Sequence, residues 1–446
     1  MLNNINLEKL NLLLFLIFPF SFIVGPVLVE TLLFFLILFN FILKKIHFEK
    51  NIFFYLLIIF YLIIILNLYI TDNSSYYKSF AFVRIIFLIV IVKNILNSLE
   101  DLREIYYRYI FIIFFVVLLL TIHSALIFFI QYDYSLRVSS VFFEEKILGS
   151  YVSKLFFFST PLFFLFNIKK KNSYYLLGLI FICFVTFLVL ISGERASIFN
   201  LFFYIFLFFI LSNDIKKKYN FSFLLLVFLI VSFSITISDR IKFRAISQTA
   251  AQLGLFGPEK YTEKLINGRW YAYIKEEKIY FAPLKHKLMH ETAFKIFKDN
   301  IILGSGIKTF RTFCKKQKYS VEYIHPQLNE MYITGKWKYP YEGFDKQHGC
   351  STHPHNYFFE TISELGIFGF ILISVLFISS AYIIIKYKRE LNNYQLSLLL
   401  PIVVLFFPLN STGSLLNNWT SLYLSIFIGF YYYFINYELN KLQNKN

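Results

Sequence analysis

Charge, glycine and proline are all scarce in this chain of 446 residues. Only 16% of the residues are charged, and glycine and proline occur 16 and ten times. Because 57% of the residues are apolar and so few are charged, a water-soluble fold would expose apolar patches too large for the protein to stay dissolved. Intrinsic disorder is excluded as well, because disordered chains combine low hydropathy with high charge.

Several motifs of enzyme chemistry are also missing. The sequence has no Asp-x-Asp pair, which a metal-dependent transferase of sugar phosphates would normally use. It has neither a phosphate-binding loop for ATP nor a Gly-x-Ser-x-Gly elbow. We therefore expect no metal site and no cofactor.

Long apolar runs dominate what is present, with 59 phenylalanines and a mean hydropathy of +0.60. A helix that crosses a bilayer takes about 20 apolar residues, and these runs do not alternate as barrel strands do. The runs predict about twelve transmembrane helices, at 9–25, 27–44, 51–70, 79–96, 106–131, 152–168, 174–192, 196–211, 221–237, 358–385, 395–410 and 419–436.

The fold class is therefore an all-α integral membrane protein with one large, mainly helical outer loop domain between helices 9 and 10. We divide the chain into 1–237 (helices 1–9), 238–357 (loop domain) and 358–446 (helices 10–12 and a tail). Basic residues concentrate in alternate short loops, which places both termini in the cytoplasm. The basic clusters are Lys44, Lys45 and Lys50, residues 169–171, residues 216–218, and Lys386, Lys388 and Arg389.

The formal charge of +17 indicates cytoplasmic loops and anionic membrane lipids as partners, and not nucleic acid. The outer loop has 20 basic and 11 acidic residues between Ser238 and Asn356, and it holds six of the eight histidines. This surplus of positive charge could bind an anionic ligand at the membrane surface. It could equally do no more than keep the loop soluble.

Two of the three cysteines, Cys314 and Cys350, lie in the outer loop. An exported compartment oxidises thiols, so we expect a disulfide between them, the alternative being two unpaired thiols.

A histidine pair precedes the tenth apolar run. Asn356 is a good N-cap, so His353 and His355 lie at the outer end of a helix. The positive end of a helix disfavours imidazolium and favours a phosphate-like anion, so either histidine could act as a base. Gly366 and Gly369 share a helix face and would let a neighbouring helix approach. A metal pair and ordinary interfacial polarity are the competing interpretations.

Three arginines are expected at the same outer level. Arg195 lies at the junction of helices 7 and 8, and Arg240 and Arg244 follow helix 9. Arginine binds phosphate in a bidentate way, so these side chains could hold a lipid-linked diphosphate. The competing interpretation of Arg195 is a snorkelling side chain paired with Glu194.

An amphipathic helix is predicted at the start of residues 286–311. Its apolar stripe consists of Ala293, Phe294, Phe297 and Ile301 together with His290. The Gly-Ser-Gly sequence that follows predicts a turn that ends the helix, ahead of Lys308 and Arg311.

These motifs resemble the O-antigen ligase and polymerase family of bacterial cell-envelope assembly. The loop pattern of the ligases is matched by His355-Asn356, nine residues, Gly366, two residues and Gly369. Residues 192–196 are similar to the outer arginine segment of the family, and residues 297–306 resemble Phe-Lys-Asp-x-Pro-x-x-Gly-x-Gly without the proline. The family often has an arginine before this helix, where the chain has Lys285, His286 and Lys287.

The resemblance implies a GT-C-like glycosyltransferase of the bacterial inner membrane. It would move a glycan from undecaprenyl diphosphate to a hydroxyl of lipid A-core at the periplasmic face, without a metal and with inversion. His355 would be the base and Arg195 a further catalytic residue. Arg195, Arg240 and Arg244 would hold the diphosphate. Supporting roles are expected for His353, Asn356, Glu364, Gly366, Gly369 and Arg311, and His353 or Glu364 would orient His355.

Other functions remain open at this level. An O-antigen or exopolysaccharide polymerase that joins lipid-linked repeats would use the same residues. A twelve-span transporter is a remote alternative, because the chain shows no two-fold halves and few charges within its apolar runs.

Overall fold

The computed structural model describes most of the chain, with gaps in several loops. The described residues are 4–49, 51–70, 79–97, 103–130, 137–142, 145–167, 172–213, 217–259, 262–266, 269–273, 275, 278–279, 281–324, 334 and 346–443. Lys50, Lys216 and residues 169–171, which contribute to the predicted orientation, lie outside these ranges.

Within the described ranges, a long helix coincides with each of the twelve apolar runs. The first nine are α1 (Asn4–Val24), α2 (Pro26–Ile42), α3 (Ile52–Ile70), α4 (Val83–Asn97), α5 (Arg103–Ile130), α6 (Leu148–Asn167), α7 (Asn172–Ser192), α8 (Arg195–Leu211) and α9 (Lys217–Ile237). The segment after α9 contains α10 (Asp239–Gln252), α11 (Leu284–Asp299) and α12 (Phe310–Phe313). The remaining helices are α13 (Tyr357–Lys386), α14 (Asn393–Leu405), α15 (Asn418–Tyr433) and α16 (Leu439–Gln443).

Burial separates inner from outer helices. Every residue of α14 is buried, and α4 and α15 are buried along most of their length. Outer helices instead expose large apolar side chains, among them Phe34, Phe129 and Phe228, at 61%, 69% and 65%. An exterior of this kind needs apolar surroundings, so the chain is an all-α membrane protein.

Three helical stretches in the described ranges are long and apolar enough to cross a bilayer by themselves. They are Leu7–Val24, Ile112–Phe129 and Tyr357–Lys386. The pair α9 and α10 would add a fourth, but α10 turns away from α9 by 106°. The crossing of all twelve helices therefore stays a prediction.

Two antiparallel hairpins were not expected in the 238–357 segment. Strand β1 (Thr262–Ile266) pairs with β2 (Arg269–Tyr273), with Thr262 opposite Tyr273. Strand β3 (Glu322–Ile324) pairs with β4 (Lys346–His348), with Glu322 opposite His348. The strands have only three to five residues, which is too short for an alternating pattern to stand out.

Helix α11 confirms the predicted amphipathic helix but not its apolar stripe. The buried face consists of Leu288, Met289, Thr292, Ala293 and Ile296, whereas Phe294 and Ile301 are exposed. The face that packs against α13 is displaced by about one position from the predicted stripe. Apolar residues lie on both sides of the predicted stripe, so the sequence pattern did not distinguish the two faces.

Candidate functional site

The turn that carries the histidine pair is fixed at the start of α13. Asn356 caps the helix, with Oδ1 accepting from the backbone N–H groups of Phe358 and Phe359 at 2.9 and 3.3 Å. Its Nδ2 donates to the carbonyl oxygens of Pro408 and Asn410 at 2.7 and 3.1 Å. Asn356 is buried, so the N-terminus of α13 is attached to the segment between α14 and α15.

His355 has a left-handed backbone, with φ of 58°. Its carbonyl oxygen accepts a hydrogen bond of 2.9 Å from the N–H of Thr412 in the same segment. A non-glycine residue in this conformation costs about 1–3 kcal/mol and persists only where its surroundings impose it. The cap and the Thr412 contact thus determine where the His355 side chain points.

Four histidines meet at this turn. The rings of His353 and His355 are 4.1 Å apart, measured between centroids. From α11, His286 stacks on His355 at 4.9 Å with an interplanar angle of 8°, and His290 stacks on Phe359 at 4.2 Å. The Nδ1 atom of His286 lies 3.3 Å from Oγ of Ser411. Among the described residues, no group of three or more His, Cys, Asp or Glu side chains is placed to hold a metal ion.

Burial lowers the pKa of all four rings. The pKa falls to about 3 for His286 and His353 and to about 4 for His290, with the neighbouring His355 adding to the effect. The pKa of His355 is lowered by burial and by Lys285, against a backbone hydrogen bond that raises it. All four imidazoles are therefore neutral at pH 7.

Arg195 begins α8 and is held by α10. Its Nη1 atom donates to Oε1 of Gln252 at 2.6 Å and to Oγ1 of Thr249 at 3.4 Å. The pairing of Arg195 with Glu194 was therefore the wrong alternative. The Glu194 carboxylate lies instead 3.5 Å from Arg137 and accepts from backbone N–H groups at the start of α6.

The two other arginines lie on α10 beside the same junction. Arg244 donates from Nε to the carbonyl oxygen of Gly193 at 3.2 Å and from Nη1 to Gln248 at 2.5 Å. Arg240 is buried, with its guanidinium carbon 4.7 Å from the ring centroid of Phe128. Arg244 thus adjoins Arg195, whereas Arg240 would have to leave its present position to contact a ligand.

The arginines and the histidines belong to one region. The positive charge of Arg195 is among the causes that lower the pKa of His286, which stacks on His355. Asn410 donates to Oδ1 of Asn200 at 2.7 Å, which joins the 406–417 segment to α8. Neutral imidazoles and guanidinium cations therefore occur in the same region of the fold, an arrangement suited to displacing an anionic leaving group.

Glu364 does not orient His355. Its carboxylate accepts from the backbone N–H groups of Lys308 and Phe310, at 2.6 and 3.0 Å, so it supports the turn that follows the Gly-Ser-Gly sequence. Of the two residues expected to orient His355, only His353 lies against its ring. The charge of Arg311 helps to lower the pKa of His353.

The two glycines of α13 do not admit a neighbouring helix, so that prediction was wrong. Gly366 interrupts α13 with φ of 66°, and a Cβ there would lie 2.3 Å from the carbonyl oxygen of Ile302. At Gly369 an added Cβ would lie 2.4 Å from Cβ of Leu365 in the same helix. The helix bends at Gly366, where it packs against the Gly-Ser-Gly turn. A helical wheel does not predict this contact, because the two segments are far apart in the sequence.

The sulfur atoms of Cys314 and Cys350 are joined in the structure, with Cα atoms 5.0 Å apart. The bond connects the C-terminal end of α12 to the segment three residues before His353. It thereby limits how far the histidine turn can move from α12.

Residues 286–374 match the family model described as O-antigen ligase. Over these residues the predicted resemblance to the O-antigen ligase and polymerase family is confirmed. The match begins at His286, contains all four clustered histidines and ends within α13, while Arg195, Arg240 and Arg244 lie outside it. No curated protein matches the chain.

Sequence reasoning missed His286 and Thr412 as parts of the region. A signal for His286 was present, because His286 and His290 are four residues apart on a predicted helix of the O-antigen ligase segment. Thr412 acts through its backbone, for which a sequence offers no signal.

Proposed function

We propose that the protein is an O-antigen ligase-type glycosyltransferase. It transfers a glycan from undecaprenyl diphosphate to a sugar hydroxyl of lipid A-core at the periplasmic face of the bacterial inner membrane. In this proposal α1–α9 and α13–α15 cross the membrane, both termini are cytoplasmic, and residues 238–357 form the periplasmic catalytic domain. The observation that carries it is a buried, neutral His355 on a turn inside the O-antigen ligase match, stacked on His286, whose pKa the charge of Arg195 helps to lower.

The arginines act on the leaving group. The bond between the anomeric carbon and the diphosphate oxygen breaks, and the diphosphate departs with the electron pair. Arg195 and Arg244, joined by Arg240 if it moves, bind the phosphate oxygens and stabilise the growing negative charge. The donor brings its own leaving group, so this mechanism includes neither a metal nor a nucleotide.

His355 acts on the acceptor. The acceptor oxygen attacks the anomeric carbon from the side opposite the diphosphate, which inverts the configuration. His355 removes the hydroxyl proton as the new bond forms, and His353 supports it through ring contact.

Alanine variants test these roles. We expect His355→Ala to lower transfer about 10²–10⁴-fold and Arg195→Ala about 10²–10³-fold, because a general base and a charge-stabilising donor contribute about these factors. His348→Ala and Arg389→Ala are matched controls, since both side chains are exposed and His348 lies outside the histidine cluster. Size-exclusion profiles show whether each variant is folded, and mass spectrometry of the product measures transfer.

The substrate assay separates ligase from polymerase. Purified protein in detergent receives an undecaprenyl-diphosphate glycan with or without lipid A-core. Glycan on lipid A-core supports the ligase, whereas lengthening on the undecaprenyl carrier alone identifies a polymerase. Folded wild-type protein that transfers under neither condition would contradict the proposal, and so would full activity in folded His355→Ala.

A further inference from the structure

We propose that His286 is a positioning residue, which orients the imidazole of His355 by stacking on it. This inference rests on the proposed function, because it assigns to His355 the role of base. His286 itself stays outside the reacting atoms in this proposal.

The contact between the two rings has the geometry that such a role requires. The rings are nearly parallel, at 8°, with centroids 4.9 Å apart. Parallel aromatic rings at this centroid separation attract each other beyond the effect of the area that they bury. With His353 at 4.1 Å and tilted by 44°, the His355 ring contacts two other imidazoles, which limits its rotation.

His286 is itself fixed, as a positioning residue must be. Its Nδ1 atom is 3.3 Å from Oγ of Ser411, the residue before Thr412, whose N–H binds the His355 carbonyl oxygen. One turn later on α11, His290 stacks on Phe359 with an interplanar angle of 4°. Helix α11 therefore contacts both sides of the turn at Asn356, with one ring before it and one after it.

A neutral ring is suited to this place. An imidazolium at His286 would repel the charge that His355 acquires when it takes the acceptor proton. Burial, His355 and nearby cations, Arg195 among them, lower the pKa of His286 to about 3, so it stays neutral through that step.

Variants at position 286 separate stacking from chemistry. His286→Ala removes the ring, whereas His286→Phe keeps a flat ring and loses both nitrogens. We expect the kcat of His286→Ala to fall at least tenfold, because a misplaced catalytic group costs up to about 10²-fold, while KM for the donor changes less than twofold. His286→Phe should recover most of the lost kcat.

The pH profile supplies a readout that a merely structural role would not move. Loss of the covering ring exposes His355 to water, which raises the pKa of His355 because burial is what lowers it. In His286→Ala, the pH below which kcat falls should therefore rise towards 6.5. His348→Ala is the matched control, because its side chain is exposed and lies outside the histidine cluster. Should the His286 variants fail to fold, Ser411→Ala tests the same idea by removing only the hydroxyl that fixes Nδ1.

Three results would overturn the inference. Equal loss of kcat in His286→Phe and His286→Ala would assign chemistry to the nitrogens. A raised KM for the donor with unchanged kcat would make His286 a diphosphate ligand. Wild-type kcat in His286→Ala, or in Ser411→Ala where only that variant folds, would leave no positioning role. Activity in His355→Ala marks failure of the proposed function itself, whereas an inactive His355→Ala beside an active His286→Ala rejects this inference alone.

Discussion

Substitution of Gly366 by alanine should separate α13 from the Gly-Ser-Gly turn. The residue has φ of 66° and ψ of −160°, a combination that essentially only glycine adopts, and an L side chain there costs about 1–3 kcal/mol. Its Cβ would lie 2.3 Å from the carbonyl oxygen of Ile302 and 2.6 Å from the nitrogen of Gly304. Both contacts are with backbone atoms, so no side-chain rotation can relieve them.

The backbone must therefore move, and three hydrogen bonds depend on its position. The N–H of Ile367 donates to the carbonyl oxygen of Ile301 at 2.8 Å. The N–H of Ser305 donates to the carbonyl oxygen of Ser363 and that of Gly306 to the carbonyl oxygen of Glu364, both at 2.9 Å. Each bond contributes about 1 kcal/mol, so with the backbone strain of about 1–3 kcal/mol the loss of stability is about 4–6 kcal/mol.

The assay is thermal unfolding of the purified protein in detergent, followed by intrinsic fluorescence or by loss of the monodisperse peak. We expect Gly366→Ala to lower the midpoint by several degrees and to lower transfer activity, because the same helix begins beside His355. Gly413→Ala is the control, since an added Cβ there meets only Thr420 Oγ1 at 3.6 Å, an ordinary contact. A midpoint equal to that of the wild type in Gly366→Ala would refute the reasoning.

Two further predictions concern pH and the disulfide. The clustered histidines have pKa values below the ordinary 6.5, so the unfolded chain binds more protons between about pH 6.5 and 3. The free energy of unfolding should therefore fall as pH falls through that window. In the plot of kcat/KM against pH, activity should be lost on the acid side only below pH 6.5. Loss of activity already at or above pH 6.5 would contradict neutral histidines in this cluster. Reduction should add two hydrogens to the mass of the protein, and Cys314→Ser with Cys350→Ser should cost about 3–4 kcal/mol of stability, because the bond closes a 36-residue separation. An unchanged mass after reduction under denaturing conditions would exclude the bond.

The helical framework was predictable because apolar runs are a local property. Each of the twelve runs coincides with a helix to within a few residues, since a continuous apolar stretch of this length satisfies its backbone groups only as a helix in an apolar medium. The position of Asn356 as a helix cap was readable for a similar reason, because capping depends on residues two and three places further on.

The roles of Glu364, Gly366 and Glu194 were not readable in this way. Each depends on a partner far along the chain: Glu364 on residues 308 and 310, Gly366 on Ile302, and Glu194 on the start of α6. A sequence shows which side chains can accept or donate, but it does not show which backbone groups the fold brings within 3 Å of them.

The sequence by itself thus determined the fold class, the helix positions and the residue types of the proposed site at 195, 244 and 355. Tertiary structure alone decided that His286 stacks on His355, that Arg195 is held by α10 and that Arg240 faces Phe128. The physical reason is range: hydropathy and capping act over a few residues, whereas stacking and hydrogen bonding in this region join segments from 195 to 412.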